Sequence, residues 1–333
     1  MRKKPSATST PATNSARPRP APSPVAVTDR GVRHSPSDAA DSPNLTARQA
    51  ATYLHLNEKK LYELANAREI PAVRIGGKWL FPRALLEDWL REQAHGGALT
   101  DRLLITGSDD PLLAAVVTSL VPQLGGDAYV AYSPTGTLPG LELLARRRAN
   151  ICALHWGGVD TSVAQHGMLL RRFSQHPQWT LVRLAHREQG VMLRRDLAID
   201  SLETLAAFDY RWAMRQAGAG SRHFLESALA SRGFRPDDCS VVAEAHTERE
   251  AAGLLAREEA DCAPGTRAAA AEFGLGFINL GWEAFDLAMP REIIFRKLFQ
   301  LLLQRYGSAE MRQFANRLGG YDLGPLGRIE AND

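Results

Sequence analysis

Residues 72–81 read Ala-Val-Arg-Ile-Gly-Gly-Lys-Trp-Leu-Phe, and this stretch decides the fold of the first third of the chain. Apolar and polar residues alternate on both sides of a Gly-Gly pair. That pattern predicts two antiparallel strands joined by a two-residue hairpin turn. Arg74 and Lys78 flank the turn, so we expect the tip of the hairpin to be basic.

Two short helices are predicted immediately upstream of the hairpin. Thr46 is a good N-cap for a helix over residues 47–54, and Asn57 caps a second helix over residues 58–67. Four apolar residues at helical spacing would pack the two helices together: Ala50, Leu54, Leu61 and Leu64. Two helices joined by a tight turn predict a helix-turn-helix.

A third helix is predicted after the hairpin, with Pro82 in its first turn, where a missing N–H costs nothing. Its inner face would carry Leu85, Leu86, Trp89 and Leu90. Residues 44–95 therefore form one compact unit of three helices and a hairpin.

This unit resembles the excisionase-type, MerR-like winged helix-turn-helix. The matching residues are 45–51, Leu54, 61–62, 70–79, 81–82 and Leu90. In that family the second helix enters the major groove of double-stranded DNA and the hairpin wing lies on the phosphate backbone. The resemblance implies DNA contacts from Arg48, Asn57, Lys59, Lys60, Tyr62, Arg74 and Lys78. Such readers usually bind two half-sites, so we expect a homodimer.

Charge and composition limit the other classes. The chain has 333 residues, 44% hydrophobic and 23% charged, which is typical of a globular protein of two domains. Its net charge of +3 is too small for wholesale coating of nucleic acid. Three cysteines without a CxxC pair exclude a disulfide framework. No apolar window reaches 18 residues and no apolar core follows the basic N-terminus, so we expect a cytoplasmic protein without a membrane segment.

The first 43 residues differ from the rest in composition. They hold eight prolines among Ser, Thr and Ala, with seven basic and three acidic residues. Such a segment cannot bury enough surface to fold, so we predict a disordered tail over residues 1–43. It is either a solvated leader or a source of weak DNA attraction. Residues 96–101 include Gly96 and Gly97 and are predicted to be a linker.

Strands alternate with helices from residue 102 onward, which predicts an α/β domain over residues 102–328. The sequence pattern predicts strands at 102–106, 127–132, 149–155, 181–184, 190–193, 210–214 and 241–243. It predicts helices at 112–124, 138–148, 224–231, 247–257, 291–306 and 309–318. This alternation is typical of a mostly parallel sheet covered by helices.

Three loops between a predicted strand and a predicted helix share one chemistry. They are residues 107–111, 133–137 and 215–222, rich in Gly, Ser and Thr. Backbone N–H groups at a helix start have no intrahelical partner and attract negative charge, and hydroxyls add further donors. Loops of this kind at the carboxyl ends of parallel strands indicate an anion site. Each hydroxyl alone is equally compatible with a cap or a turn.

The α/β domain resembles the molybdate- and tungstate-binding type of periplasmic binding protein, in its cytoplasmic form behind a helix-turn-helix. The resemblance rests on residues 107–111, 133–141, 149–155, 187–190, 215–222, 260–263 and 320–323. Thr137, Ala219 and Ser221 depart from the usual loop residues, and 262–265 replaces a stretch that is normally rich in glycine. The resemblance implies a two-lobed α/β fold that closes on a ligand. It implies ligand contacts from Ser108, Thr135, Gly136, Thr137, Gly220, Ser221 and Arg222.

These observations predict a one-component transcription regulator that senses a small oxyanion, with molybdate or tungstate favoured by the resemblance. Arg222 would assist with charge if it faces inward, or would pair on the surface. Asp109 and Asp110 are expected to cap a helix or face a neighbour rather than touch an oxyanion. His155 is expected to be a packed residue, and no cofactor or metal site is predicted.

Three alternatives stay open. In the first, the regulator senses a small organic ligand or a molybdenum-cofactor fragment. In the second, the α/β domain is an enzyme that acts on an anionic substrate. In the third, the chain is an architectural DNA-binding factor whose α/β domain binds another protein. No Gly-x-Ser-x-Gly elbow or metal motif favours catalysis. Residues 218–221 lack the lysine of a nucleotide-binding loop. We therefore expect a protein that is not an enzyme.

Overall fold

A computed structural model describes residues 42–95, 102–125 and 128–330. The predicted tail, up to residue 41, and the predicted linker at 96–101 lie outside these residues. The described chain divides into two compact units, up to Trp89 and from Leu90 onward. Among the described residues, no helix has the length and apolar character needed to cross a bilayer.

The first unit is a winged helix-turn-helix. Its elements are β1 (Asn44–Thr46), α1 (Ala47–Tyr53), α2 (Glu58–Asn66), β2 (Val73–Ile75), β3 (Lys78–Pro82) and the start of α3 (Arg83–His95), a helix that runs past the unit boundary at Trp89. Thr46 caps α1 with a full capping box, and Asn57 accepts a 2.7 Å hydrogen bond from the Lys60 amide at the start of α2. The sequence analysis missed β1, which pairs with β3 and gives the sheet order β1-β3-β2.

The core of this unit corrects the prediction for the third helix. Leu61, Phe81 and Leu86 are fully buried, and Trp89 packs against them. Leu85 and Leu90 are exposed at the surface of the unit instead of lining its inner face. Pro82 ends β3, and the helix begins one residue later than predicted.

The second unit is α/β. Its strands are β4 (Arg102–Gly107), β5 (Tyr129–Pro134), β6 (Ile151–Leu154), β7 (Trp179–Leu193), β8 (Arg211–Arg215), β9 (Ser240–Ala245), β10 (Cys262–Thr266), β11 (Gly276–Pro290), β12 (Tyr321–Asp322) and β13 (Ile329–Glu330). Its helices are α4 (Pro111–Leu120), α5 (Thr137–Ala145), α6 (Ser162–Leu170), α7 (Leu202–Ala207), α8 (Gly220–Ala230), α9 (Glu248–Ala256), α10 (Arg267–Glu272), α11 (Lys297–Tyr306) and α12 (Ala309–Leu318). Residues 291–295 form a 3₁₀ turn, so the predicted helix over 291–306 starts only at Lys297.

Two long strands run through the whole of this unit. The sheet order is β5-β4-β6-β11-β7-β10-β8-β9, and β7 and β11 pair antiparallel along their full length. The pairs β4–β5, β4–β6, β8–β9 and β8–β10 are parallel, as predicted, but the centre of the sheet is not. The two strand segments predicted near 181 and 190 are one continuous strand, β7.

The long strands connect two lobes, each with its own core. We define lobe 1 as residues 102–186 and 284–330, and lobe 2 as residues 187–283. Leu103, Phe285 and Phe299 belong to one apolar core of lobe 1, while Trp212 and Leu225 belong to a core of lobe 2. The predicted α/β class and two-lobed architecture are therefore confirmed.

Candidate ligand cleft and DNA-binding surface

Two loops and a strand end of lobe 1 meet around a pair of hydroxyls. Ser108 follows β4 and Thr137 begins α5, and their side-chain oxygens lie 2.8 Å apart. The Thr137 hydroxyl also contacts the carbonyl oxygen of His155, just after β6, at 3.2 Å. All three residues are buried. The carboxyl ends of three parallel strands thus converge, because parallel strands end at one edge of a sheet.

The first turn of α8, in lobe 2, lies directly against this group. A Cβ atom built on Gly220 would lie 2.3 Å from the His155 carbonyl oxygen, so only glycine allows this approach. Ser221 is buried beside it. The N-cap residues of α5 and α8, Gly136 and Ala219, have no side-chain acceptor for the first N–H groups. The first turn of α5 includes a proline and an amide that donates to lobe 2, so α8 is the helix start that presents N–H donors to an acceptor from outside the helix.

Arg215, at the end of β8, brings a buried cation to the cleft. Its Nη1 donates to the Ser221 hydroxyl at 3.4 Å, while Nε and Nη2 donate to the carbonyls of Ala245 and His246 at 3.1 and 2.8 Å. No ion pair joins it to a carboxylate within the described parts of the chain. Burial lowers the pKa of Arg215, although nearby Glu248 opposes this. A buried guanidinium that is hydrogen-bonded only to neutral groups attracts an anion.

Each lobe contributes one buried carboxylate near Arg215. Asp109, next to Ser108, accepts a 3.2 Å hydrogen bond through Oδ2 from the amide of Arg249 in α9. Glu248, one residue earlier in α9, accepts through Oε2 from the amide and hydroxyl of Thr266 at 3.1 and 2.9 Å. Burial raises the pKa of Glu248, and Arg187 and Arg215 offset this only in part.

Further contacts hold the lobes together. The Leu138 amide donates to the Gly218 carbonyl at 3.1 Å, and Gln216 Nε2 donates to the Thr135 carbonyl at 3.1 Å. The rings of Trp156 and His223 stack with centroids 4.2 Å apart. These contacts join lobe 1 to lobe 2 around the buried hydroxyls. In this structure the two lobes are therefore closed on each other around these hydroxyls.

The predicted ligand residues fall into two groups. Ser108, Thr137, Gly220 and Ser221 are brought together in the cleft, and their role in binding stays a prediction. Thr135 and Gly136 shape the loop: the Thr135 hydroxyl lies 2.8 Å from that of Thr106 and accepts from the Gly107 amide, and Gly136 has a φ of 88°.

Arg222 lies outside the cleft, which settles its two predicted orientations in favour of the surface pair. Its Nε donates to Glu226 at 2.7 Å and its Nη1 to the Arg215 carbonyl, with about a third of the side chain exposed. The arginine that reaches Ser221 is Arg215, which sequence reasoning missed. Its place at the end of a predicted strand was the available signal. Asp110 caps α4 as expected, through a 2.6 Å bond from the Leu113 amide.

A buried charge network lies where β7 and β11 pass between the lobes. Arg187 Nε donates to Glu283 at 3.0 Å and its Nη1 to Asp110 at 3.0 Å. Glu283 also contacts His155 Nδ1 and accepts from Gln189. Burial would raise the pKa of Glu283, but His155 and Arg187 outweigh it and lower that pKa to about 2. His155 is thus a packed, carboxylate-bonded residue, as expected.

Glu283→Gln is expected to lower the free energy of unfolding by about 3–5 kcal/mol near neutral pH, because buried Arg187 loses a counter-charge. The pKa of Glu283 is depressed in the folded state, so its stabilisation is complete above the ordinary value of 4.5 and is lost as pH falls toward 2. Urea unfolding at a series of pH values should show the difference from wild type shrinking over that range. Glu226→Gln, in a half-exposed pair, should change stability by less than about 1 kcal/mol.

The predicted DNA-binding residues are all exposed in the winged unit. They are Arg48 on α1, Asn57, Lys59, Lys60 and Tyr62 at or in α2, and Arg74 and Lys78 on the hairpin. The Asn57 side chain caps α2, and Lys60 lies 3.4 Å from Glu63 on the surface. Gly76 and Gly77 form the hairpin turn with positive φ values of 56° and 79°; Lys78 follows the turn directly and Arg74 lies two residues before it. No group of His, Cys, Asp or Glu suited to a metal occurs among the described residues.

Comparison with known proteins agrees with both units. Residues 120–307 match the family described as the PBP superfamily domain, and residues 45–94 match the helix-turn-helix domain family. No curated protein matches the chain.

Three solved structures are among those found similar to the chain. An OxyR mutant of Corynebacterium glutamicum with bound hydrogen peroxide has a TM-score of 0.47 and 15% identity, over 82% of this chain and 89% of that one. An ABC-type phosphate transport receptor from Vibrio cholerae has a TM-score of 0.42 and 13% identity, over 66% and 98%. The effector-binding domain of QuiR in complex with shikimate has a TM-score of 0.43 and 10% identity, over 62% and 93%.

Proposed function

This chain belongs to the PBP superfamily domain family, and from that premise we propose that it is a transcription regulator controlled by a small anion bound between its two lobes. A helix-turn-helix and a PBP-like domain in one chain make a DNA-binding regulator that senses a small ligand. The anionic effector, its site and the response of the DNA-binding unit are the proposal.

The observation that carries the proposal is the composition of the closed cleft. The Ser221 hydroxyl, the uncapped start of α8 and the cation of Arg215 lie together in the cleft, beside the buried hydroxyls of Ser108 and Thr137. The first three groups supply donors that satisfy negative charge, and burial strengthens their interaction with an anion. The loop resemblance makes molybdate and tungstate the first candidates to test. Closure of the lobes would then transmit binding, provided the ligand prefers one state of the clamp.

A thermal-shift panel of molybdate, tungstate, sulfate and phosphate on the purified chain tests the proposal. Ligand that binds only the folded state at a hundred times its Kd stabilises by about 2.7 kcal/mol, which is a clear rise in Tm. At least one anion is expected to produce this rise in a concentration-dependent way. No rise with any of the four would contradict an anion-sensing cleft.

Gly220→Ala is expected to weaken binding of the active anion at least tenfold while leaving the fold intact. Its Cβ would strike the His155 carbonyl, so the closed state becomes strained and the open state does not. Calorimetric titration measures the change in Kd. Gly158→Ala is the control, since a Cβ there meets nothing closer than 3.9 Å. Equal affinities of the two variants would show that closure does not depend on this contact.

A further inference from the structure

We propose that the effector is a small anion that also donates hydrogen bonds, such as hydrogen phosphate or a hydroxylated acid, and that fully deprotonated oxyanions are excluded. This inference rests on the proposed function, because it names the class of ligand for the same cleft. It departs from the loop resemblance, since molybdate, tungstate and sulfate carry no proton near neutral pH.

The observation behind it is a pair of buried acceptor atoms that lack donors. Asp109 Oδ1 and Glu248 Oε1 are inaccessible and have no hydrogen-bond partner among the described residues. The residues themselves are only 2% and 1% exposed. An unsatisfied buried acceptor destabilises the folded state, and more so when it is charged. Two such atoms indicate donors that the described residues do not supply.

Contacts in the closed clamp connect both atoms to the anion-binding groups. Asp109 adjoins Ser108, whose hydroxyl bonds to Thr137. The other Asp109 oxygen bonds to the amide of Arg249, next to Glu248. Asp109 in lobe 1 is thus bonded directly to the residue that follows Glu248 in lobe 2.

Hydrogen bonds within lobe 2 connect Glu248 to the donors of the cleft. Arg215 bonds to the carbonyl of His246, two residues before Glu248, and to the hydroxyl of Ser221. Gly220, beside Ser221, lies against His155, whose carbonyl bonds to Thr137. Glu248 and Asp109 also interact electrostatically with Arg215, so both carboxylates lie near the cation of this cleft. A ligand that fills it meets donors on some sides and acceptors on others.

Anions that carry a proton and anions that carry none differ in how they interact with these carboxylates. A ligand without protons would place its oxygens against carboxylate oxygens, and both partners would remain unsatisfied and repel each other. A proton on Glu248 would convert one acceptor into a donor, but Asp109 Oδ1 would still require a donor from the ligand. A site built to hydrogen-bond a ligand O–H rejects analogues that lack it strongly.

Phosphate and sulfate are the matched probes, because they share size and shape and only phosphate keeps a proton near pH 7. We expect calorimetric titration of the full chain to give phosphate at least a hundredfold lower Kd than sulfate or molybdate. Sulfate or molybdate binding as tightly as phosphate would overturn this inference and leave the anion cleft standing. Absence of binding by all three would overturn the proposed function and this inference with it.

Asp109→Asn and Glu248→Gln provide the second test. Both variants keep an oxygen for the Arg249 and Thr266 donors and turn the unsatisfied oxygen into an NH₂ donor. The double variant is expected to lose the preference for phosphate and to bind sulfate at least tenfold more tightly than wild type does. An unchanged preference would place the discrimination elsewhere. Either single variant serves if the Tm of the double variant shows that it does not fold.

Discussion

Arg215→Met combined with Ser221→Ala is expected to abolish the rise in Tm that the active anion produces in the wild-type chain. The double variant removes the buried cation of Arg215 and the Ser221 hydroxyl to which it bonds. A charge-assisted hydrogen bond contributes about 1.5–3 kcal/mol, so loss of two groups accounts for the whole stabilisation seen at a hundred times Kd. Thermal unfolding with and without the anion is the measurement.

Arg222→Met is the matched control for this experiment. Arg222 is one residue from Ser221, but its guanidinium pairs with Glu226 on the surface. We expect the anion to stabilise Arg222→Met as it does wild type. Because Arg215→Met leaves the carbonyls of Ala245 and His246 without a donor, Ser221→Ala alone is the milder test if the double variant is too unstable. If the anion stabilises Ser221→Ala as fully as wild type, or fails to stabilise Arg222→Met, the anion does not bind at Arg215 and Ser221.

Lys60→Ala combined with Arg74→Ala is expected to weaken DNA binding about tenfold to a hundredfold and to make it less sensitive to salt. Each phosphate contact releases counterions, so losing two should reduce the slope of log K against log salt by about 2. Fluorescence anisotropy on a duplex selected from a random library, over a series of salt concentrations, measures both quantities.

Arg235→Ala combined with Arg257→Ala is the control for net charge. Both side chains are exposed in lobe 2 and pair with neighbouring carboxylates. Their substitution removes two positive charges, as the Lys60→Ala, Arg74→Ala variant does. The salt slope should stay within about half a unit of wild type. A slope that falls equally in both double variants would mean that overall charge, and not contact by α2 and the hairpin, governs binding.

The winged unit could be predicted from sequence because its signals are local. Thr46 and Asn57 fix two helix starts, and Gly76-Gly77 fixes the hairpin, without reference to distant parts of the chain. The errors concern tertiary exposure: Leu85 and Leu90 fit the helical pattern, yet neither contributes to the buried core. Strand β1 was missed because no turn signal marks its three residues, whereas the equally short β2 is marked by the Gly76-Gly77 turn.

The α/β unit was predicted less completely for a physical reason. Strands that end in a polar loop and begin a helix are recognisable, and this rule identified the loops of Ser108, Thr137 and Ser221. Strands β7 and β11 are 15 residues long and largely buried, so they carry no regular alternation. Asp109, Arg215 and Glu248 were not assigned to the cleft because their importance lies in burial and in missing partners. Neither property can be read from residue type.

Binding of the anion and binding of DNA are expected to be thermodynamically linked. If closure on an anion changes the affinity of the winged unit for DNA, then DNA must change the affinity of the cleft for the anion by the same factor. Functional couplings of this kind typically amount to fivefold or more. This reciprocity holds whatever the arrangement of the two units, and whether the anion favours or opposes DNA binding.

Calorimetric titration of the active anion into the full chain, with and without saturating amounts of the selected duplex, tests the central claim most directly. We predict that the Kd for the anion changes at least fivefold when DNA is bound. The control is the Lys60→Ala, Arg74→Ala variant at a duplex concentration too low for this variant to bind DNA. In that control, the duplex should leave the Kd for the anion unchanged. An anion that binds the cleft with the same Kd in the presence and absence of DNA would contradict the claim that this cleft controls the DNA-binding unit.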